Sequence, residues 1–211
     1  MVLTLKAIVP FIGLSLIEVI SCFYFGVHMA LFRKKFTLEQ VSHIFVRCVH
    51  DDYEEAYPTI IQEIKKIPCS DELLHSLNKN SNKKIIVAKI ALEMLMLPKI
   101  FKEDIVADFM KHIIYQSANI LELNIDYISS SIDNYTEAFK EGMLKSAEMP
   151  DIFPNPLEQF TLILYEEMNI MKRNIMDKER PDSFIISLLS KMLVAKHGEY
   201  FKNIKKDIKI I

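Results

Sequence analysis

The chain has 211 residues, half of them hydrophobic, and its 26 basic and 28 acidic side chains leave a formal charge of -2, which excludes a global electrostatic footprint for nucleic acid. Four glycines are far below the usual ~7 % that turns and hairpins draw on, so an all-α fold is expected. Cys22, Cys48 and Cys69 are odd in number, widely spaced and without a C-x-x-C, which suits neither a disulfide framework nor a zinc site and points to a reducing compartment.

The first element, residues 7–32, is a run of 26 residues whose only charged side chain is Glu18, closed by Arg33, Lys34 and Lys35. At about 1.5 Å per residue such a helix reaches roughly 39 Å, more than the ~30 Å hydrocarbon core of a bilayer. Pro10, Gly13, Ser15, Ser21 and Gly26 within it are residue types that membrane helices tolerate better than soluble ones. Glu18 costs about 2.5–3.5 kcal/mol at mid-bilayer, which the apolar neighbours outweigh in sum, and a buried carboxylate there marks a partner. A transmembrane anchor over 1–35 is expected, followed by a soluble α-helical domain over 36–211 of about six to eight helices. The alternative is a soluble bundle whose first helix is its own core. Val19-Ile20-Ser21-Cys22 resembles a bacterial lipoprotein cleavage box, but the apolar run continues past it and Glu18 interrupts it. Three cations after the run against Lys6 before it place the domain in the cytoplasm, with the anchor in a bacterial-type inner membrane.

Thr37 and Gln40 form a T-x-x-Q capping box that opens a helix with Leu38, Val41, Ile44, Phe45, Cys48 and Val49 on one face. Tyr57-Pro58 is expected to end it, with a short helix bearing Ile60, Ile61 and Ile64 after it. Pro68 stops that piece, Ser70 opens another over 72–77, and Asn78 to Asn82 reads as a polar loop. Residues 83–97 are apolar almost all round and too short to span a bilayer, so they are expected to be the buried central helix, with Lys89 and Glu93 as an i, i+4 pair on its wet side. Pro98 terminates it. Ile105, Phe109, Ile113, Ile120, Ile128 and Ile132 predict one or two helices ending near Asn134, then a further helix over 136–149. Three prolines between Met149 and Pro156 predict a loop, and Leu157, Phe160, Leu164, Met168, Met171 and Ile175 a helical stripe. A last helix is expected from Ser183 nearly to the end, with Phe184, Leu188, Met192, Phe201, Ile204 and Ile208 inward.

Chemical motifs are sparse. His50-Asp51 resembles the doublet of HD-type metal phosphohydrolases, an all-helical family; that resemblance would require His43 and Asp104 or Asp108 to complete a metal site, and a solvated acidic helix end is the blander account. Glu72-x-x-His75 has half the spacing of a di-iron site without a second copy. His112 stands four after Asp108, as ordinary helix pairs do. No G-x-S-x-G turn or glycine-rich phosphate loop is present, and nothing implies a cofactor. Of the eleven methionines, Met94, Met96, Met168, Met171 and Met192 sit on apolar stripes, as core filler does, rather than on a recognition groove. The carboxyl end places Lys202, Lys205, Lys206 and Lys209 around Phe201, Ile204, Ile208 and Ile211, a basic amphipathic helix suited to an anionic lipid surface or a partner, as are Arg33, Lys34 and Lys35.

These features together predict a single-pass membrane protein whose helical domain acts by binding another protein, in a regulatory, accessory or immunity-type role. Glu18, Gly13, Ser15 and Ser21 would pair with a second transmembrane helix. The competing expectations are a soluble bundle holding a small apolar ligand or a partner, and the HD-like hydrolase using His50 and Asp51.

Overall fold

A computed structural model describes residues 34–66, 77, 79–151, 155–168, 183–195 and 197–210. The expected span with Gly13, Ser15, Glu18 and Ser21, the adjacent Arg33, the Glu72/His75 spacing, and the stripe positions Met171 and Ile175 lie outside those residues, as does Ile211. Among the described residues no helix is long and apolar enough to cross a membrane.

The described chain is helical, as composition led one to expect, with a small sheet added. In order it runs β1 (Lys34–Phe36), α1 (Leu38–Lys65), α2 (Lys79–Met94), α3 (Leu97–Ile100), α4 (Glu103–Leu121), α5 (Ile125–Glu148), α6 (Leu157–Glu167), α7 (Ser183–Val194), α8 (Glu199–Asp207) and β2 (Ile208–Ile210). Thr37 opens α1 through the expected capping box, its hydroxyl accepting the Gln40 N–H at 3.2 Å while the Gln40 carbonyl oxygen accepts the Thr37 N–H at 3.0 Å. The predicted stop at Tyr57-Pro58 does not occur. Pro58 lies inside α1; it and Glu54, whose carbonyl loses its helical partner, are both exposed residues, on the side of the helix where water can take the lost bond. Ile60 and Ile64 beyond it continue the buried face begun by Val41, Phe45 and Val49.

Helix α2 starts at Lys79, inside the stretch expected to be a loop, and buries Ser81 and Asn82 in its first turn. From Ile85 to Met94 it is buried without interruption, because α1, α4, α5, α6 and α7 all pack around it. Pro98 does more than end it. Met96 caps a new single turn, α3, in whose first turn a proline's missing N–H is no loss. Glu122, with φ of 53°, then takes the left-handed conformation that separates α4 from α5, and the Asn124 side chain caps α5 by accepting the N–H groups of Asp126 and Tyr127 at 2.7 and 3.3 Å.

The break expected near Asn134 is absent. One face of α5 buries Ile128, Ser131, Ile132, Tyr135, Ala138 and Gly142 in unbroken i, i+3, i+4 succession, which holds the helix straight through that position. Gly142 is required there: a Cβ would lie 2.0 Å from the Pro156 carbonyl oxygen.

The single last helix of the sequence reading is two helices and a strand. Gly198, with φ of +74°, turns the chain between α7 and α8. Past α8, Ile208–Ile210 pairs in parallel with Lys34–Phe36, in the register Lys34 with Ile208, Lys35 with Lys209 and Phe36 with Ile210. Phe36 and Ile210 both pack on the core. The apolar face expected to rest on lipid is therefore spent elsewhere: Phe201 and Ile204 are buried, Phe201 stacking on Phe45 at 4.3 Å and meeting Phe101 and Phe109 edge-on, and Ile208 belongs to β2.

Candidate functional site

The most concentrated chemistry lies on the last two turns of α2, where Lys89 and Glu93 sit one turn apart. Their expected place was the wet side of the helix; both are 0 % exposed. A helix enclosed by five others has no wet side, so the pair had to be satisfied from within.

It is satisfied by the chain end. The Lys89 ammonium donates to the carbonyl oxygens of Leu193 and Ala195, each at 2.8 Å, and to Glu93 Oε1 at 2.9 Å. That uses all three of its protons. Two of these bonds fall on the carbonyls that the end of α7 leaves without helical partners, where a cation also meets the negative end of the helix dipole. The Tyr200 ring lies 5.7 Å from the same ammonium. Glu93 in turn accepts the backbone N–H of Gly198 at 2.9 Å on Oε2 and faces His197 Nδ1 at 2.9 Å on Oε1. The carboxylate thus fixes the very turn that divides α7 from α8.

Two tyrosines extend the network to α1. Tyr53 donates to the Met192 carbonyl oxygen at 2.8 Å, and Tyr200 donates to Asp52 Oδ2 at 2.6 Å. Burial, with the charges of Glu93 and Asp52 behind it, pushes the Tyr53 hydroxyl up; burial and the Asp52 carboxylate do the same to Tyr200. Both remain protonated donors. Burial also pulls the Lys89 ammonium below its ordinary value, against the opposing charge and bond of Glu93. For Glu93 burial acts upward, but the bonds and charges of His197 and Lys89 together outweigh it and hold the carboxyl below its ordinary value. The cluster is an internal strut: charged, desolvated and closed.

A second polar group joins α5, α6 and α2. Glu167 accepts from Tyr135 at 2.8 Å, Ser131 at 3.3 Å and Tyr127 at 3.5 Å, while Lys84 donates to its main-chain oxygen. Burial and the Glu167 charge raise the Tyr135 and Tyr127 hydroxyls. Thr161 and Ser190, 2.8 Å apart and buried, tie α6 to α7.

The residues singled out from the sequence are dispersed. His50 and Asp51 meet each other at 2.9 Å, whereas His43 faces Gln116 at 3.1 Å and Asp108 pairs with Lys111 at 3.0 Å. Among the described residues no group of three or more His, Cys, Asp or Glu side chains could hold a metal ion. Met94 and Met168 are buried, and Met96 and Met192 pack against the core. Lys35, Lys202, Lys205 and Lys206 are exposed. Sequence reasoning missed Asp52, Tyr53, Glu167, His197, Gly198 and Tyr200. One signal was available: Gly198 is one of only four glycines and falls inside an otherwise periodic helical stretch, a position that calls for a backbone reason.

No protein-family model, curated protein or solved structure matches this chain.

Proposed function

We propose that the chain is a single-pass, membrane-anchored helical protein that acts by binding another protein and carries out no catalysis of its own. The observation behind this reading is the closure of the buried network. Lys89, Glu93, Tyr53 and Tyr200, ionisable groups of that network, each spend their polar atoms on holding α7 and α8 in place. A general acid or base needs a proton or lone pair within reach of a substrate, and these are committed to the fold.

The anchor rests on the apolar content of 7–32, and the cytoplasmic placement of the body on Arg33-Lys34-Lys35 after it. Glu18 with Gly13, Ser15 and Ser21 offers the contact to a partner helix inside the bilayer. Outside it, Met143, Leu144 and Met149, 50 %, 64 % and 40 % exposed, give an adaptable apolar contact at the end of α5.

Alkaline extraction of membranes and protease treatment of inverted vesicles test this directly. The protein is expected to stay with the membrane, with 36–211 digested from the cytoplasmic side. A Glu18→Leu change is expected to abolish assembly with the partner on native gels; unchanged assembly would remove the intramembrane contact. Recovery in the supernatant without detergent would establish the soluble bundle instead.

A further inference from the structure

Some lysines of the helical body are paired within their own helix. Lys66, Lys111, Lys140 and Lys145 each have a carboxylate one turn away, Glu63, Asp108, Glu137 and Glu141, at 2.5 to 3.0 Å. Lys35, Lys202, Lys205 and Lys206, like Lys65, Lys99, Lys102 and Lys191, are exposed and, among the described residues, take part in no ion pair.

What sets Lys35, Lys202, Lys205 and Lys206 apart is that tertiary structure gathers them. Lys35 belongs to β1 and the others to α8, at opposite ends of the described chain, and the β1–β2 ladder joins them. The strands are parallel, so the end of β1 that follows Arg33 lies beside the end of β2 that follows Lys205 and Lys206. An antiparallel ladder would have set these a strand length apart. The register also opposes Lys35 to Lys209. Carboxylates in these segments are Glu199 and Asp207, against Lys34, Lys35, Lys202, Lys205, Lys206 and Lys209, in a chain whose formal charge is -2.

We propose that this basic end of the fold docks on an anionic lipid leaflet, with headgroup phosphates neutralising Lys35, Lys202, Lys205 and Lys206. The proposal rests on the membrane reading above only in that the anchor brings a leaflet within reach of β1. Docking is electrostatic and involves no apolar insertion, since Phe201 and Ile204 of α8 are buried in the core. It therefore weakens with salt, whose screening length is about 8 Å under physiological conditions, and each lysine removed weakens it roughly fivefold.

The test uses the full chain reconstituted into phosphatidylcholine vesicles doped with a self-quenching fluorescent phosphatidylglycerol. The wild type is expected to gather the labelled lipid, seen as quenching that high salt abolishes. The quadruple Lys35→Gln, Lys202→Gln, Lys205→Gln, Lys206→Gln variant is expected to lose it, and the corresponding quadruple Arg variant to keep it. Equal quenching by the wild type and the Gln variant, or equal quenching with labelled phosphatidylcholine, overturns the proposal. So does failure of the Arg variant while its circular dichroism matches the wild type. Alkaline extraction of the same vesicles reads the anchor separately: gathering by an extractable protein keeps the lipid surface and removes the anchor, and no gathering by a resistant protein does the reverse.

Discussion

Two ion pairs of the same i, i+4 spacing show how little a spacing says about its worth. Glu141 and Lys145 on α5 meet at 2.6 Å with side chains 56 % and 32 % exposed; Lys89 and Glu93 on α2 meet at 2.9 Å with both 0 % exposed. Water screens the first pair and competes for its partners, so it adds a few tenths of a kcal/mol. The second has no water, and its cost of burial is offset only because Leu193, Ala195, His197 and Gly198 supply what solvent would have supplied. A surface pair decorates a helix that would form anyway. The buried pair decides where α7 stops and how α8 begins.

The sharpest way to break that contrast is Glu93→Ala, which leaves the Lys89 ammonium buried without its counter-charge. A loss of about 3–5 kcal/mol is expected in urea unfolding. Replacing both residues, Lys89→Met with Glu93→Leu, is expected to cost less than Glu93→Ala alone, because no uncompensated charge is left. A double variant less stable than the single one would show that the carbonyls of Leu193 and Ala195, not the charges, dominate the site.

Acid titration examines the same carboxylate without mutation. Glu93 titrates below its ordinary value of 4.5 in the folded protein. As pH falls, the unfolded chain therefore takes up this proton first, and the folded state loses ground. The contribution of Glu93 is expected to be complete above pH 4.5 and to be lost progressively below it. In Glu93→Gln the acid limb of the stability curve should flatten. A parallel limb in wild type and variant would assign acid sensitivity to other carboxylates.

Smaller effects sharpen the comparison from the side of the backbone and of the surface. Gly198→Ala introduces a Cβ with room around it, its nearest neighbour being Met96 Cε at 3.6 Å, but at a φ of +74°. The cost is expected to be about 1–2 kcal/mol from the left-handed conformation alone, seen as a lowered melting temperature. Glu141→Ala should change stability by less than about 0.5 kcal/mol. A loss there as large as at Glu93 would erase the distinction between the two pairs.

Much of the helical order was readable before any coordinates. Thr37 and Gln40 announced the start of α1 because a capping box satisfies its own orphan N–H groups locally. The run after Lys84, apolar but for Lys89 and Glu93 and too short to span a bilayer, announced a buried helix. Prolines were less reliable guides. Pro58 was absorbed into α1 at an exposed position, where water can take the bond it removes, and Pro98 began a turn as well as ending one. The candidate site was the least legible part. Lys89 and Glu93 were visible as a pair, but their partners lie about a hundred residues along the chain, in main-chain groups that carry no sequence signature.

The sequence alone determined the class of secondary structure, the capped start of α1, the apolar character of α2 and the spacing of its two charges, since each follows from contacts within one or two turns. Only the tertiary structure decided that those charges lie in the core, that Gly198 rather than an unbroken helix connects α7 to α8, and that Lys35 comes beside the lysines of α8 through a parallel ladder. Dielectric surroundings and long-range register are properties of what packs against a segment, and no local pattern of side chains encodes them.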